Sequence, residues 1–178
     1  MPTDPSVRRD AFRELHESGC FVMPNPWDVG SACWLQNLGF PALATTSAGF
    51  AFSLGLPDGA VPRDAVLAHA RAVAEATDVP VNADFESGYA SDPDGVYQSV
   101  RRCLETGVAG LSIEDASGSR TTPLHDLAMA LERLKAARAA IDASRSGVVL
   151  TARAECFLVG HPEPLRESLR RLEAYAAA

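Results

Sequence analysis

Lysine is nearly missing from this chain: Lys135 is the only one among 178 residues. Acidic residues outnumber basic ones, 23 to 16, for a net charge of −7. No basic stripe with interleaved aromatics offsets that balance, which argues against nucleic acid or an anionic membrane surface as a partner. Long apolar runs are lacking too. No stretch reaches the roughly 20 apolar residues that a membrane-spanning helix needs. Met1–Asp10 lacks the charged start and apolar centre of a signal peptide. Cysteine is sparse: Cys20, Cys33, Cys103 and Cys156 show neither disulfide-framework density nor C-x-x-C metal spacing. All four are expected to be small buried apolar residues in a reduced, cytoplasmic setting. No low-complexity linker divides the chain. The expectation is one domain over residues 1–178, 47% hydrophobic, with enough chain for a sizeable core.

The stretch Val79–Ala90 organises what is present. Val79–Ala83 reads as a short buried strand, followed by a turn cluster at Ser87 and Gly88. Asp84 and Glu86 lie where the strand ends, and residues two apart on a strand share a face. Two carboxylates aimed at one spot are costly unless positive charge meets them. A hard divalent cation, Mg²⁺ first, suits oxygen ligands. For a lone D-x-E, two solvated acids at the start of a loop are the plainer reading.

Strands are expected at 20–24, 41–46, 79–83, 109–114 and 147–153, and helices at 5–18, 28–38, 63–77, 93–106, 123–144 and 162–175. Thr3 or Asp4 can cap the first helix. Ser47–Pro62 reads as a long connection. Strict alternation without hairpins predicts a parallel α/β sheet, because each strand needs a crossover to return. An open doubly wound sheet and a (β/α)₈ barrel both satisfy that pattern. Neither G-x-G-x-x-G nor G-x-x-x-x-G-K-[ST] follows the first strands, so nucleotide binding has no local support.

Polar residues gather at the carboxyl ends of these strands: Asn25; Thr46 and Ser47; Asp84 and Glu86; Glu114 and Asp115; Arg153 and Glu155. Parallel α/β folds build their sites at that face. The acids suit a cation, and Arg153 offers a planar fork to a substrate carboxylate. A salt bridge from Arg153 to Glu155 or Glu114 is the plainer alternative. Small residues at Ser47, Ala48 and Gly49 let backbone N–H groups approach an anionic oxygen. His16, His69, His125 and His161 fall outside the strand ends and are assigned surface or capping roles. Trp27 and Trp34 are assigned to core or interface.

These residues resemble a known family. Asp84-x-Glu86-x-Gly88-Tyr89 is similar to the D-x-[DE]-x-G-[FY] signature of the isocitrate lyase and phosphoenolpyruvate mutase superfamily. Pro24–Ala32 is similar to its first βα turn, and Thr45–Gly49 with Gly55–Asp58 to its second. Ile113-Glu114-Asp115 and Ala152-Arg153-Ala-Glu155 resemble its fourth and fifth strand ends. The likeness runs from Phe21 through nearly the whole chain. It implies a parallel (β/α)₈ TIM-barrel type of fold, of which about the first five βα units are present, and Mg²⁺. It also implies a lyase acting on C–C or P–C bonds of small 2-oxo carboxylates, by oxaloacetate-type decarboxylation or cleavage through an enolate. By position, Asp84 would ligate the metal, and Glu86 and Glu114 would hold its waters. Asp58 would lie near the metal or the reacting group. Ser47, Ala48 and Gly49 would form the substrate-carboxylate loop, and Arg153 would bind substrate.

Two departures stand out. The superfamily's isocitrate and methylisocitrate lyases carry a K-[KR]-C-G loop with a cysteine acid, whereas here the loop is Asp115–Thr122, with no cysteine. The lysine- and asparagine-bearing gating loop of the mutases is missing as well. The chain also ends at Ala178, where the superfamily would begin its sixth strand. Open sheet edges would follow, and self-association into a homo-oligomer is the expected remedy. A non-catalytic truncated barrel or assembly subunit is the alternative function.

Overall fold

A computed structural model describes residues 4–178; Thr3, one expected cap, lies outside them. Four parallel strands form one sheet: β1 (Leu43–Ala44), β2 (Val81–Asp84), β3 (Gly110–Glu114) and β4 (Val149–Arg153). Their spatial order is β1-β2-β3-β4, the order of the chain. A doubly wound sheet reverses order at a switch point. No reversal occurs here, so the sheet is a partial barrel of the TIM type, with successive strands side by side.

The helices are α1 (Pro5–Leu15), α2 (Val29–Asn37), α3 (Ser47–Ser53), α4 (Arg63–Ala76), α5 (Pro93–Leu104), α6 (Leu127–Ser144) and α7 (Pro164–Ala176). Their starts are written locally. The Asp4, Asp28, Asp92 and Asp126 side chains accept first-turn N–H groups, each satisfying a donor with no intrahelical partner. Val96, Ser99, Val100, Cys103 and Leu104 form the buried stripe of α5, which packs along α6. Between the helices and the sheet lies the main core, with Val81, Ala83, Phe85, Leu111 and Ile113 contributed by and just beyond the strands.

The opposite side of the sheet is polar toward the strands' carboxyl ends and plugged at the other end. Phe12 of α1 is wholly buried with Ala42 and Ala109. Burying one such ring is worth about 1.5–3 kcal/mol. Gly110 makes room for it: a Cβ there would run into the Phe12 ring and lie 2.6 Å from Asn82 Oδ1. Two arginines beside the plug secure α1. Arg8 donates to the carbonyls of Ala74 and Thr77, and Arg9 to those of Leu104, Val108 and Ser146. Both therefore cap carbonyls at or just beyond the carboxyl ends of α4 and α5.

Several expectations need correction. Residues 20–24 form no ladder strand; the Pro24 carbonyl accepts one bond, from Ala44 N at 3.0 Å. Prolines at 24 and 26 remove the donors that a longer ladder would need. The connection 47–62 contains a helix, α3, capped by the Thr46 hydroxyl. The helix expected from Pro123 starts at Leu127, because Leu124 bridges to Ala116 and His125 N donates to the Asp115 carbonyl. Trp27 and Trp34 are exposed, which removes the core half of their assignment; Cys20 is exposed and Cys33 only half-buried. His69 is neither surface nor cap: its ring stacks on Phe50 at 3.9 Å, and burial lowers its pKa. No helix among the described residues is long and apolar enough to cross a membrane.

Candidate active site

Period-two alternation turns Asn82 and Asp84 of β2, Ser112 and Glu114 of β3, and Thr151 and Arg153 of β4 toward one cavity of about 660 Å³. Register pairs Asp84 with Ser112, and Glu114 with Arg153. Ser47, Ala48, Asp58 and Glu86 line the same cavity from the loops and the start of α3. Asn82, Ser112 and Thr151 escaped the sequence reading, although each lies two residues before a strand-end residue that it did single out.

Asp84 is held on both oxygens. Oδ2 accepts Ser47 N at 2.9 Å and Ser47 Oγ at 2.8 Å, while Oδ1 pairs with Arg153 Nη1 at 2.8 Å. Arg153 also reaches Glu114 at 3.5 Å and Glu155 at 2.7 Å. The single guanidinium thus sits among three carboxylates, in the manner of the plainer salt-bridge alternative. Glu86 follows the strand with φ 45°, and Tyr89 Oη donates to its Oε1 at 2.5 Å. Burial raises the Glu86 pKa, and the charges of Asp58 and Asp84 add to that rise against the Tyr89 bond. Glu114 is pushed up to about 7, first by burial, then by the charges of Glu155, Asp84 and Glu86, with Arg153 opposing.

The substrate-loop residues are placed less simply. Ser47 N is taken by Asp84 and Gly49 N by Thr46 Oγ1 at 3.1 Å. Ala48 lines the cavity from the first turn of α3, where N–H groups have no intrahelical acceptor. Gly49 does not line the cavity; its Cβ position is crowded by the Thr46 methyl at 2.6 Å and Trp27 Cβ at 3.3 Å. Asp115 is not a cavity acid. One residue beyond Glu114, it points the other way and is buried against α7. There it accepts Glu155 N, Arg171 Nη1 and Tyr175 Oη at 2.9, 2.9 and 2.6 Å.

Among the described residues no three His, Cys, Asp or Glu side chains gather closely enough to ligate one ion by themselves. Mg²⁺ does not require that, since it keeps several waters and takes one or two carboxylates directly. The donor set fits it: Asp84, Glu86 and Glu114 offer only oxygen. Burial and their mutual crowding raise the Glu114 pKa, and a cation would relieve that crowding.

The model of the phosphoenolpyruvate phosphomutase family matches residues 12–178. The chain belongs to that family. It therefore falls within the isocitrate lyase/phosphoenolpyruvate mutase superfamily. Among relatives of this family, the chain is 32% identical to 2-methylisocitrate lyase of Escherichia coli K12 over 157 residues, 85% of this chain and 52% of that protein. A solved lyase/mutase candidate from Burkholderia cenocepacia J2315 superposes with a TM-score of 0.93 at 43% identity, covering 97% of this chain and 62% of that one. Oxaloacetate acetylhydrolase, solved with its product oxalate, gives 0.84 at 28% identity over 99% and 61%. The chain thus spans between 52% and 62% of the length of these relatives.

Glu114 offers a pH test in metal-free buffer. Its folded pKa of about 7 lies above the ordinary 4.5. Its contribution to stability is then full below pH 4.5 and lost as pH rises through 7. Wild type should lose stability across that window relative to Glu114→Gln. Urea midpoints that run parallel for the two proteins over the window would contradict this placement.

Proposed function

We propose that this chain carries the site of a Mg²⁺-dependent lyase acting on C–C or P–C bonds of small 2-oxo carboxylates. The observation that carries the reading is the meeting of Asp84, Glu114 and Arg153 from three adjacent strand ends at one cavity. The activities named for the 2-methylisocitrate lyase and the oxaloacetate acetylhydrolase support it.

Asp84 would ligate the ion, while Glu86 and Glu114 would hold its waters. When bound, Mg²⁺ supplies fixed positive charge that polarises a substrate carbonyl. Ser47 orients Asp84 through two hydrogen bonds. Glu155 holds Arg153 through Nη2, so Nη1 can leave Asp84 and turn to a substrate carboxylate without the guanidinium losing its anchor. There it stabilises negative charge developing on the oxo acid. Asp58, on the loop after α3, lines the same cavity as Glu86, and its charge helps to raise the Glu86 pKa. Ser47 and Ala48 line the wall beside Asp84, with Gly49 behind them, and the Ala48 amide is the one left for a carboxylate oxygen.

Oxaloacetate should bind more tightly than malate in the presence of Mg²⁺, because only the oxo acid offers a carbonyl that can take up enolate charge beside the cation and Arg153. Arg153→Lys should weaken oxaloacetate by about tenfold to a hundredfold, since a charged hydrogen bond is worth about 1.5–3 kcal/mol. Equal affinities for the two acids by titration calorimetry, together with an unaffected Arg153→Lys variant, would remove the reading and favour a non-catalytic subunit.

A further inference from the structure

Arg133 of α6 is the largest wholly buried side chain, at 2% exposure. Nothing in the site chemistry above uses it. Its Nη2 donates to the Ser87 carbonyl and, at 2.8 Å, to the Ala90 carbonyl. Its Nε and Nη1 are buried without a hydrogen-bond partner. Burial pushes its pKa down, with only the charge of Asp92 opposing. A buried guanidinium without an ion-pair partner is expensive. Filling that volume alone is done more cheaply by Met or Leu.

The two carbonyls belong to an unusual turn. Glu86, Gly88 and Tyr89 have φ of 45°, 86° and 52°. A non-glycine residue held there is strained and persists only where its surroundings enforce it. Gly88 is tightly seated as well, since a Cβ would lie 3.2 Å from Val96 Cγ1. At one end the turn is tied by Phe85 N to the Ser112 carbonyl and by Glu114 N to the Glu86 carbonyl. Arg133 ties the other end. Between these ties sits Glu86, its carboxylate steadied by Tyr89 Oη.

We propose that Arg133 is a positioning residue. Through the carbonyls of Ser87 and Ala90 it locks the 85–90 turn in the left-handed conformation that aims Glu86 into the cavity. The proposal rests on the reading of Glu86 as part of a Mg²⁺ site, and it adds a residue that touches neither metal nor substrate.

The test compares wild type, Arg133→Met and Arg133→Lys. One measurement is Mg²⁺ affinity by calorimetry; the other is hydrogen–deuterium exchange of the peptide spanning 85–91 without metal. Removing an outer partner of a metal ligand typically costs about 10–100-fold in affinity, and that loss is expected for Arg133→Met. Lys, which retains the charge but lacks the fork, should fall between. Exchange over 85–91 should quicken in both variants while α5 and β3 keep their protection. A role in packing alone would change protection throughout and leave affinity untouched. Should Arg133→Met fail to fold, Arg133→Lys carries both measurements. If wild type binds Mg²⁺ and the folded variants bind it equally, this inference falls and the functional reading stands. If wild type binds none, the functional reading falls, and with it the aim toward a metal. Unchanged exchange over 85–91 in Arg133→Lys would then also remove the lock.

Discussion

Asp115→Ala should lower the free energy of unfolding by about 3–5 kcal/mol, the usual cost of removing one partner from a buried ion pair. Asp115 is 3% exposed, and both carboxylate oxygens are used. Its loss strands the Arg171 guanidinium, which is buried 2.9 Å away and would keep Glu167 as its only carboxylate. Tyr175 Oη and Glu155 N lose their acceptor in the same step. The packing at stake is large, because Arg171 and Tyr175 are how α7 grips the ends of β3 and β4. Glu155 extends the effect into the cavity, since its carboxylate holds Arg153 at 2.7 Å. Tyr175→Phe removes one of these bonds and should cost less than half as much. Urea denaturation with an unchanged slope would measure both. A loss below about 1 kcal/mol for Asp115→Ala would place it among solvated surface pairs and contradict the burial.

Asp115 also marks where sequence reasoning stopped short. Acids at 114 and 115 both read as cavity groups, yet the alternation that joined Asp84 to Glu86 separates these two. The same rule, carried two residues inward from each strand end, would have found Asn82, Ser112 and Thr151. Strands β2, β3 and β4 were legible because their apolar runs end at polar residues on one side and at Pro or Gly on the other. Residues 20–24 have the apolar look of a strand, but they make a single ladder bond, at Pro24. Helix α3 was hidden because Ser47-Ala48-Gly49 has turn composition, while its first-turn N–H groups are met by the Thr46 hydroxyl and by Asp84, from a strand distant in sequence. The buried role of Arg133 had no signal in sequence: on an Ala/Leu/Arg helix, an arginine facing inward looks like its neighbours facing out. The choice between barrel and open sheet came from strand order, which composition does not encode.

Asp84→Ala should abolish measurable Mg²⁺ binding, whereas Glu86→Gln should only weaken it. Asp84 is the one acid at the centre of the strand ends, in register with Ser112 and fixed by two bonds from Ser47. Glu86 and Glu114 lie one layer further out, where they can act through the waters that Mg²⁺ retains. Asp84 pairs with Arg153 at 2.8 Å, so a cation on the same carboxylate must compete with a guanidinium. That competition supplies a second arm. Arg153→Gln removes the competing charge and should tighten Mg²⁺ several-fold, while abolishing the preference for a substrate carboxylate. The two variants thus move metal affinity in opposite directions, which general loss of structure would not do. Calorimetric titration giving wild-type affinity for Asp84→Ala would end the assignment of Asp84 as ligand. A decrease for Arg153→Gln would show that the arginine supports the cation rather than standing in its place.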